Sequence, residues 1–407
     1  MREIDCQESV SEHSEEVCAI LALPHPPDTW PVADWYWKVV GGTPFLMRNV
    51  INLQRAGLNS IFIFGEGGNC EELLSRLSRD KRVEISMNWA SDTKELAQST
   101  GNRPTLVLNG GALHSKNEIR SGLKSLTSSS ADNKPSYLLG CDSFHETLSQ
   151  IVCGKEPESI GAGENRNNSF TYLAGGKELR IRETTDFHIQ HERLLRESGL
   201  SNDSFMDRLV TRFFSRQLTR LFLQTPITPN QITLLSLILG LVSAMYFFRG
   251  TYESGITGAG LLLLSAWIDC TDGEIARLKF MESETGEKLD ILCDNLVHFA
   301  VFFTIGMGLY RTTGQDIFKL LGILAVFGSL ISFILLSSTT IDQKRKAADD
   351  NTARTKKGLA DKLANRDFTY FLLLMAVIGQ MDLFLGIVAV GANVFAGYLL
   401  YSRLRAT

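Results

Sequence analysis

No two of the seven cysteines, Cys6, Cys18, Cys70, Cys141, Cys153, Cys270 and Cys293, stand in a CxxC or other paired spacing. That argues against a disulfide framework and predicts free thiols in a reducing compartment. Basic charge is not in surplus either, since 41 Lys and Arg against 45 Asp and Glu leave a net charge of −4. The basic residues cluster locally instead of covering a face, so no nucleic-acid partner is expected. The opening MREIDCQESVSEHSEE is acidic and lacks an apolar core, so residues 1–16 read as a disordered tail and not as a secretory leader. There is no internal repeat, and the chain stays polar up to about Gln224. A mean hydropathy of +0.01 therefore averages two unlike parts.

From Gln231 onward the apolar stretches are long enough to cross about 30 Å of hydrocarbon at about 1.5 Å per helical residue. Six transmembrane helices are predicted: about Ile232–Phe248, Gly255–Leu278, Lys288–Tyr310 and Ile317–Leu336, then two within Phe368–Tyr401. That last stretch is too long for one span and slightly short for two. A tight turn is therefore expected at GQMD, with the fifth helix beginning before Phe368 and Arg366 and Asp367 at its interfacial end. Lys344, Arg345, Lys346, Arg354, Lys356, Lys357, Lys362 and Arg366 crowd the stretch from Thr340 to Asp367, whereas the RGTYES, RTTGQD and GQMD turns hold few basic residues. This asymmetry puts both termini and the even-numbered loops in the cytoplasm, as expected for an integral protein of the cytoplasmic membrane. Within residues 200–228, Arg208, Arg212, Arg216 and Arg220 recur every four residues beside a stripe that includes Phe205, Leu209, Phe213 and Leu221. The pattern suits an amphipathic juxtamembrane helix lying in the anionic interface, or a linker helix packed on its neighbours.

Four aspartates interrupt this oily part. Asp269, Asp272, Gly273, Ala276 and Arg277 recur at spacings of three and four along one side of the second span. Gly286, Asp290 and Asp294 repeat at fours along the third, and a short cytoplasmic turn makes the two spans antiparallel neighbours. Four converging carboxylates, each costing about 2.5–3.5 kcal/mol at a bilayer centre, need compensation. Arg277 offsets one charge, and the remaining negative density suits two hard divalent cations, Mg²⁺ or Mn²⁺, with oxygen ligands.

The complete pattern DxxDGxxARx8GxxxDxxxD, from Asp269 to Asp294, resembles the signature of the CDP-alcohol phosphotransferase family. TPITPNQIT, with Pro229, Asn230 and Thr233 entering the first span, resembles that family's approach to its first helix, although Pro at a helix start is also ordinary capping. The resemblance covers residues 229–407. It implies a six-helix membrane enzyme that moves a substituted phosphate from a CDP-alcohol, CDP-diacylglycerol-like or CDP-polyol, to an acceptor alcohol or polyol phosphate, releasing CMP. Carried over by position, it implies that Asp269 and Asp290 bridge two metals, that Asp272 holds one, and that Asp294 holds the other and serves as base. Gly273, Ala276, Arg277, Ser283, Gly286, Asn230 and Thr233 are implied to bind the nucleotide. The bland alternatives are close helix packing for the glycines and turn formation for Ser283. His298, four residues after Asp294, reads as an outer hydrogen-bond partner or a satisfied core histidine. Arg366 is the candidate for a phosphate on the acceptor.

Residues 17–199 alternate strand-length apolar runs with helical patterns: CAILAL, PFLMRNVINLQRAG, SIFIFG, CEELLSRLS, VEISMN, PTLVLNG and SYLLGC. The alternation predicts a soluble α/β domain with a mostly parallel sheet. A hairpin is expected over FTYLAGGKELRIRE with Gly175 and Gly176 at its turn, after a surface loop at ESIGAGENRNNS. WKVVGGTPFLMRNVINLQRAGLNSIFIFG, with Lys38, Gly42 and Pro44, resembles the sugar-phosphate nucleotidyltransferase fold. The whole arrangement resembles bifunctional proteins that join an inositol-phosphate cytidylyltransferase to a di-myo-inositol phosphate phosphotransferase. Two departures imply a degenerate domain: ALPHPPDTWPVADWYWK stands where a glycine-rich, arginine-containing loop should wrap the triphosphate, and Gly110 and Gly111 stand where a metal-binding aspartate is expected. His188 and His191 lack a nearby third ligand, which makes zinc improbable.

Phospholipid or polyol-phosphate biosynthesis is the process implied, in a lipid bilayer, with the active site on the cytoplasmic side and a homodimer allowed for. Three rivals are a bifunctional enzyme that also makes its CDP-alcohol from CTP, a non-catalytic membrane anchor, and an ion transporter. A transporter should carry ionisable or broken-helix features in several spans, whereas the first, fourth and sixth offer little beyond Ser329, Ser332 and Asn393.

Overall fold

The apolar run CAILA forms β1 (Cys18–Ala22), whose five residues are all buried, as expected of a central parallel strand covered on both faces. In the computed structural model the described residues are 17–27, 30–65, 70–101, 103–130, 142–155, 157, 170–199, 210–347 and 367–406. They fall into two compact units, Met1–Leu194 and Leu195–Thr407. The acidic tail, the SYLLGC run, the ESIGAGENRNNS loop, Arg208 and Arg366 lie outside the described residues.

After β1 the first unit continues with α1 (Val32–Tyr36), β2 (Val39–Val40), β3 (Thr43–Pro44), α2 (Phe45–Ala56), β4 (Ser60–Phe64), α3 (Cys70–Ser78) and β5 (Ser86–Ala90). Then come α4 (Thr93–Thr100), β6 (Thr105–Asn109), α5 (Lys116–Ser130), α6 (Asp142–Val152), β7 (Phe170–Leu173) and α7 (Thr184–Glu197). The five-stranded sheet has the order β5-β4-β1-β6-β7, and every pairing in it is parallel. Strand order reverses beside β1, the arrangement in which ligands settle at the carboxyl ends of the strands. One sheet face buries Ile20, Ala22, Val107 and Phe170 against Leu96, Phe144, Leu148 and Ile151. Gly41 and Gly42, at φ 58° and 78°, turn β2 into antiparallel β3, a conformation that glycine adopts without penalty. The guanidinium of buried Arg48 donates to the Val40 and Gly41 carbonyls at 3.1 Å. Burial and the nearby Arg82 charge lower the Arg48 pKa to about 10.

The predicted hairpin is not formed. β7 pairs in parallel with β6, and Gly175 and Gly176 lead into a 3-10 turn at Lys177–Leu179. The chain then makes one antiparallel bridge, Ala112 with Arg180. The glycine pair serves a close approach instead, since a Cβ on Gly175 would lie 2.5 Å from that of Ala112.

The second unit is helical: α8 (Arg212–Leu223), α9 (Pro229–Arg249), α10 (Tyr252–Lys279), α11 (Glu284–Thr313), α12 (Ile317–Ala347), α13 (Asp367–Ile378) and α14 (Met381–Ala406). Among the described residues, five helices are long and apolar enough to cross a membrane: α9 to α12 and α14. The 12 residues of α13 reach about 18 Å at the helical rise, and the residues expected to extend it lie outside the described ones. Gly379, at φ 79°, makes the predicted GQMD turn into α14. Pro229 opens α9 inside a capping box of Thr228 and Gln231, the pairing that satisfies orphan amides at a helix start. Glycines let the helices touch by backbone. A Cβ on Gly308 would lie 2.2 Å from the Phe247 carbonyl, and one on Gly306 2.7 Å from that of Phe318. The core between these helices is Phe247, Val301, Phe302, Ile305, Leu372 and Phe384.

Candidate active site

α10 presents Asp269 and Asp272 one turn apart, and α11 brings Asp290 to meet them. One carboxylate oxygen from each of the three lies within 4.8 Å of the others. Asp269 and Asp272 are buried. Asp294 is not in that group of three; it follows Asp290 by four residues on α11 and is half-buried. α9 supplies hydrogen bonds from the side: Thr233 Oγ1 donates to Asp272 Oδ2, and Ser236 Oγ donates to Asp269 Oδ1 at 3.2 Å. Such donors orient a carboxylate that is to serve as a ligand. Three clustered carboxylates form a hard oxygen donor set, which fits Mg²⁺ or Mn²⁺. Ser236 was not legible as a site residue, although its spacing of three from Thr233 on an apolar helix was a signal.

The residues expected at the nucleotide occupy two neighbourhoods. At the start of α11, Ser283 caps the helix by accepting the Gly286 N–H at 3.0 Å. A Cβ on Gly286 would meet Ser283 Oγ at 3.0 Å and Asn230 Oδ1 at 3.1 Å, so Asn230, Ser283 and Gly286 come together. Phe280, at φ 55°, turns the chain between the two helices in a conformation that a bulky residue rarely adopts. Along α10, Arg277 folds back over Gly273, where a Cβ would lie 3.2 Å from its Nη1. Its Nε donates to the Ser198 carbonyl at 2.8 Å. Ala276 is half-buried on the same helix. The His298 ring packs edge-on against Phe368 at 4.8 Å.

Glu274, in the middle of the motif, was missed. It is fully buried and accepts from Arg212 at 2.5 Å, Ser215 at 2.9 Å and Thr219 at 2.6 Å, all on α8. Arg212, one of the four arginines spaced by four, therefore points inward, because a buried carboxylate draws a charged partner to it. Phe214 of α8 stacks on Trp267 at 4.0 Å, and Tyr370 OH links Thr211 Oγ1 at 2.8 Å with Trp267 Nε1 at 3.1 Å.

In the first unit a cavity of about 280 Å³ opens at the carboxyl ends of β1 and β6, lined in part by His25, Tyr36, Asn109, Lys155, Arg180 and Arg182. The Tyr36 hydroxyl donates to the Pro24 carbonyl at 2.6 Å, and burial holds its pKa far above the usual phenol range. A Cβ on Gly110 would lie 2.7 Å from the Ala22 carbonyl, and one on Gly111 2.9 Å from Pro24 Cγ. The proline segment and the glycine pair are thus matched in shape, and no carboxylate side chain fits at either glycine without movement of the strand end. The Lys38 ammonium lies over the Trp30 and Phe187 rings at 4.8 and 4.7 Å, an attractive cation–π placement. His191 Nδ1 accepts the Gly41 N–H at 3.2 Å.

The sequence profile of the family described as CDP-alcohol phosphatidyltransferase matches residues 226–398. The bifunctional IPC transferase and DIPP synthase of Aquifex aeolicus (strain VF5) is 28% identical over 192 residues, 47% of this chain and 42% of that protein. The protein of the same name from Thermococcus kodakarensis is 26% identical over 181 residues, 44% of this chain and 39% of that protein. The chain thus spans about two fifths of the length of these curated relatives. A crystal structure of Mycobacterium tuberculosis phosphatidylinositol phosphate synthase with CDP-DAG bound aligns with a TM-score of 0.37 at 18% identity, over 47% of this chain and 92% of that one.

Proposed function

We propose that this chain, whose residues 226–398 form a CDP-alcohol phosphatidyltransferase domain, transfers a substituted phosphate from a CDP-alcohol to an acceptor alcohol and releases CMP. The observation that carries this reading is the meeting of Asp269, Asp272 and Asp290 within 4.8 Å on two helices of membrane-crossing length. Uncompensated carboxylates in that setting cost about 2.5–3.5 kcal/mol each, which favours a site built for cations. In this reading Asp269, Asp272, Asp290 and Asp294 are the residues that would hold the ions. When bound, two such ions neutralise charge on the diphosphate oxygens and orient an in-line displacement.

Asp294 takes the proton from the acceptor hydroxyl as its oxygen bonds to the phosphorus that carries the donor alcohol, and the bond to CMP breaks. Arg277 offers its planar fork to the diphosphate. Gly273, Ala276 and Gly286 leave room for the nucleotide, and Asn230, Ser283 and Thr233 complete its surroundings. The donor is CDP-diacylglycerol-like or a CDP-polyol, and the acceptor is an alcohol or polyol phosphate, with Arg366 the candidate for an acceptor phosphate. In this reading α13 belongs to a sixth crossing, both termini and the site face the cytoplasm, and α8 lies against the bilayer surface. A homodimer is the assembly to test.

The deciding experiment measures CMP release by the purified chain across a panel of CDP-activated donors and alcohol acceptors with Mg²⁺ or Mn²⁺. CMP is expected from at least one pair, and Asp294→Asn is expected to lower kcat by about 10²–10⁴-fold. Folded, metal-supplied protein that yields no CMP from any pair overturns the reading.

A second reading concerns residues 17–199. The cavity at the strand-order switch, lined by Lys155, Arg180 and Arg182, suits an anionic ligand, which favours a chain that also makes its CDP-alcohol from CTP. Against nucleotidyl transfer stand the proline segment, which lacks amide donors for a triphosphate, and the two crowded glycines. We favour a degenerate domain that binds without transferring. Pyrophosphate release from CTP and candidate alcohol phosphates would reverse that preference.

A further inference from the structure

Glu274 belongs to the same helix as Asp269 and Asp272, yet its carboxylate is bound from α8. Its carboxylate is fully buried and bound by Arg212, Ser215 and Thr219. A buried ion pair is weak evidence of stabilisation, because apolar residues of the same volume usually serve as well or better. The use of such a pair is to fix geometry, and a ring of contacts here indicates whose geometry is fixed.

The Arg212 guanidinium is gripped by Glu274. It also lies against Gly199, where a Cβ would stand 3.1 Å from Cζ and 3.3 Å from Nε. The residue before that glycine, Ser198, is itself buried and hydrogen-bonds through its hydroxyl to the Leu195 carbonyl at 2.9 Å. Its own carbonyl accepts from Arg277 Nε at 2.8 Å. Arg277 returns the ring to α10, three residues beyond Glu274. An Nε so held sets the plane of the guanidinium, and Nη1 lies beside Gly273, next in sequence to Asp272.

We propose that Glu274 and Arg212 are positioning residues: through the Ser198–Gly199 segment they fix the guanidinium of Arg277 at the diphosphate of the donor. The inference rests on the phosphotransferase reading above, and it goes beyond that reading by assigning a role to four residues outside the ligand set. Because Arg277 is the member of this ring assigned to the diphosphate, the effect of Glu274 is expected on the donor and not on the acceptor.

The test uses the full chain in detergent with the donor and acceptor pair that gives CMP in the panel. Glu274→Gln keeps the side-chain shape but loses the charge that grips Arg212, and its single amide oxygen can replace only one of the two carboxylate oxygens, the one facing Arg212 and Ser215 or the one facing Thr219. Donor KM is expected to rise about 10-fold, the usual lower bound for losing an outer partner of a site residue, with acceptor KM unchanged within about twofold. Gly199→Ala, whose Cβ presses on the Arg212 guanidinium, is expected to raise donor KM in the same way and serves if Glu274→Gln does not fold. Because the effect passes through Arg277, adding Glu274→Gln to Arg277→Lys is expected to change nothing further, whereas independent roles would multiply. An unchanged donor KM, an equal rise in both KM values, or multiplicative effects in the double variant overturn the inference while leaving the function standing. Absence of CMP from the unaltered chain overturns both.

Discussion

Thr233 hydrogen-bonds to Asp272 and therefore acts on a candidate metal ligand before it acts on any nucleotide. Thr233→Val is expected to raise the Mg²⁺ concentration for half-maximal CMP release by about 10-fold or more, with activity recovered at excess metal. An unchanged metal titration would return Thr233 to the role that its place in TPNQIT suggests. In the first unit, burial pushes the Cys18 thiol from 9.0 up to about 11, with Arg103 pulling partly back. The folded pKa is the higher one, so this contribution to stability is complete below about pH 9 and is lost as pH rises through about 11, a change of about 3 kcal/mol. Urea unfolding of the full chain at pH 8 and pH 11 should show that loss, and Cys18→Ala should lack that part of it. The sequence placed both residues on their elements correctly. It could not assign Thr233 to a carboxylate 39 positions away, because a hydroxyl has many acceptors and local spacing selects none of them.

At the scale of elements, membrane helices without a hydrophobic drive between them depend on close approach. Gly308 touches the end of α9 backbone to backbone, with a Cβ position 2.2 Å from the Phe247 carbonyl and 3.1 Å from the Gly250 Cα. Backbone cannot step aside as a side chain can, so Gly308→Ala is expected to destabilise the helical unit by about 1–3 kcal/mol, measured by thermal unfolding in detergent. Gly314→Ala, with open space around the glycine but φ 72°, should cost less, about 1 kcal/mol. The helices themselves were legible because a helix is the only open-ended element that satisfies its own backbone across hydrocarbon, so an apolar run of membrane length leaves little choice of structure. The parallel placement of β7 was not: FTYL followed by two glycines satisfies a hairpin and a parallel edge strand equally, and the pairing with β6 rests on long-range register. α8 forms over Arg212–Leu223 and Arg212 turns inward to Glu274; the arginine spacing alone does not separate an interfacial helix from one packed on its neighbours.

For the whole molecule, a cation held by the carboxylate cluster would add to stability as well as to the proposed chemistry. Mg²⁺ or Mn²⁺ at about 100 times its dissociation constant should stabilise the helical unit by about 2.7 kcal/mol, with the higher melting temperature reversed by a chelator and absent in Asp290→Asn. Identical unfolding with and without metal would count against a cation site. The sequence by itself determined the spacing of Asp269, Asp272, Asp290 and Asp294, the apolar runs that carry them, and the alternation of strand and helix before them. Each of these is a periodicity that backbone geometry turns directly into a face or a span. Only the tertiary structure decided which three carboxylates meet within 4.8 Å, that Glu274 closes on Arg212, and that Pro24 crowds Gly111 where an acid was expected. Those outcomes depend on which side chains close packing brings together across elements distant in the chain, and no local period encodes that choice.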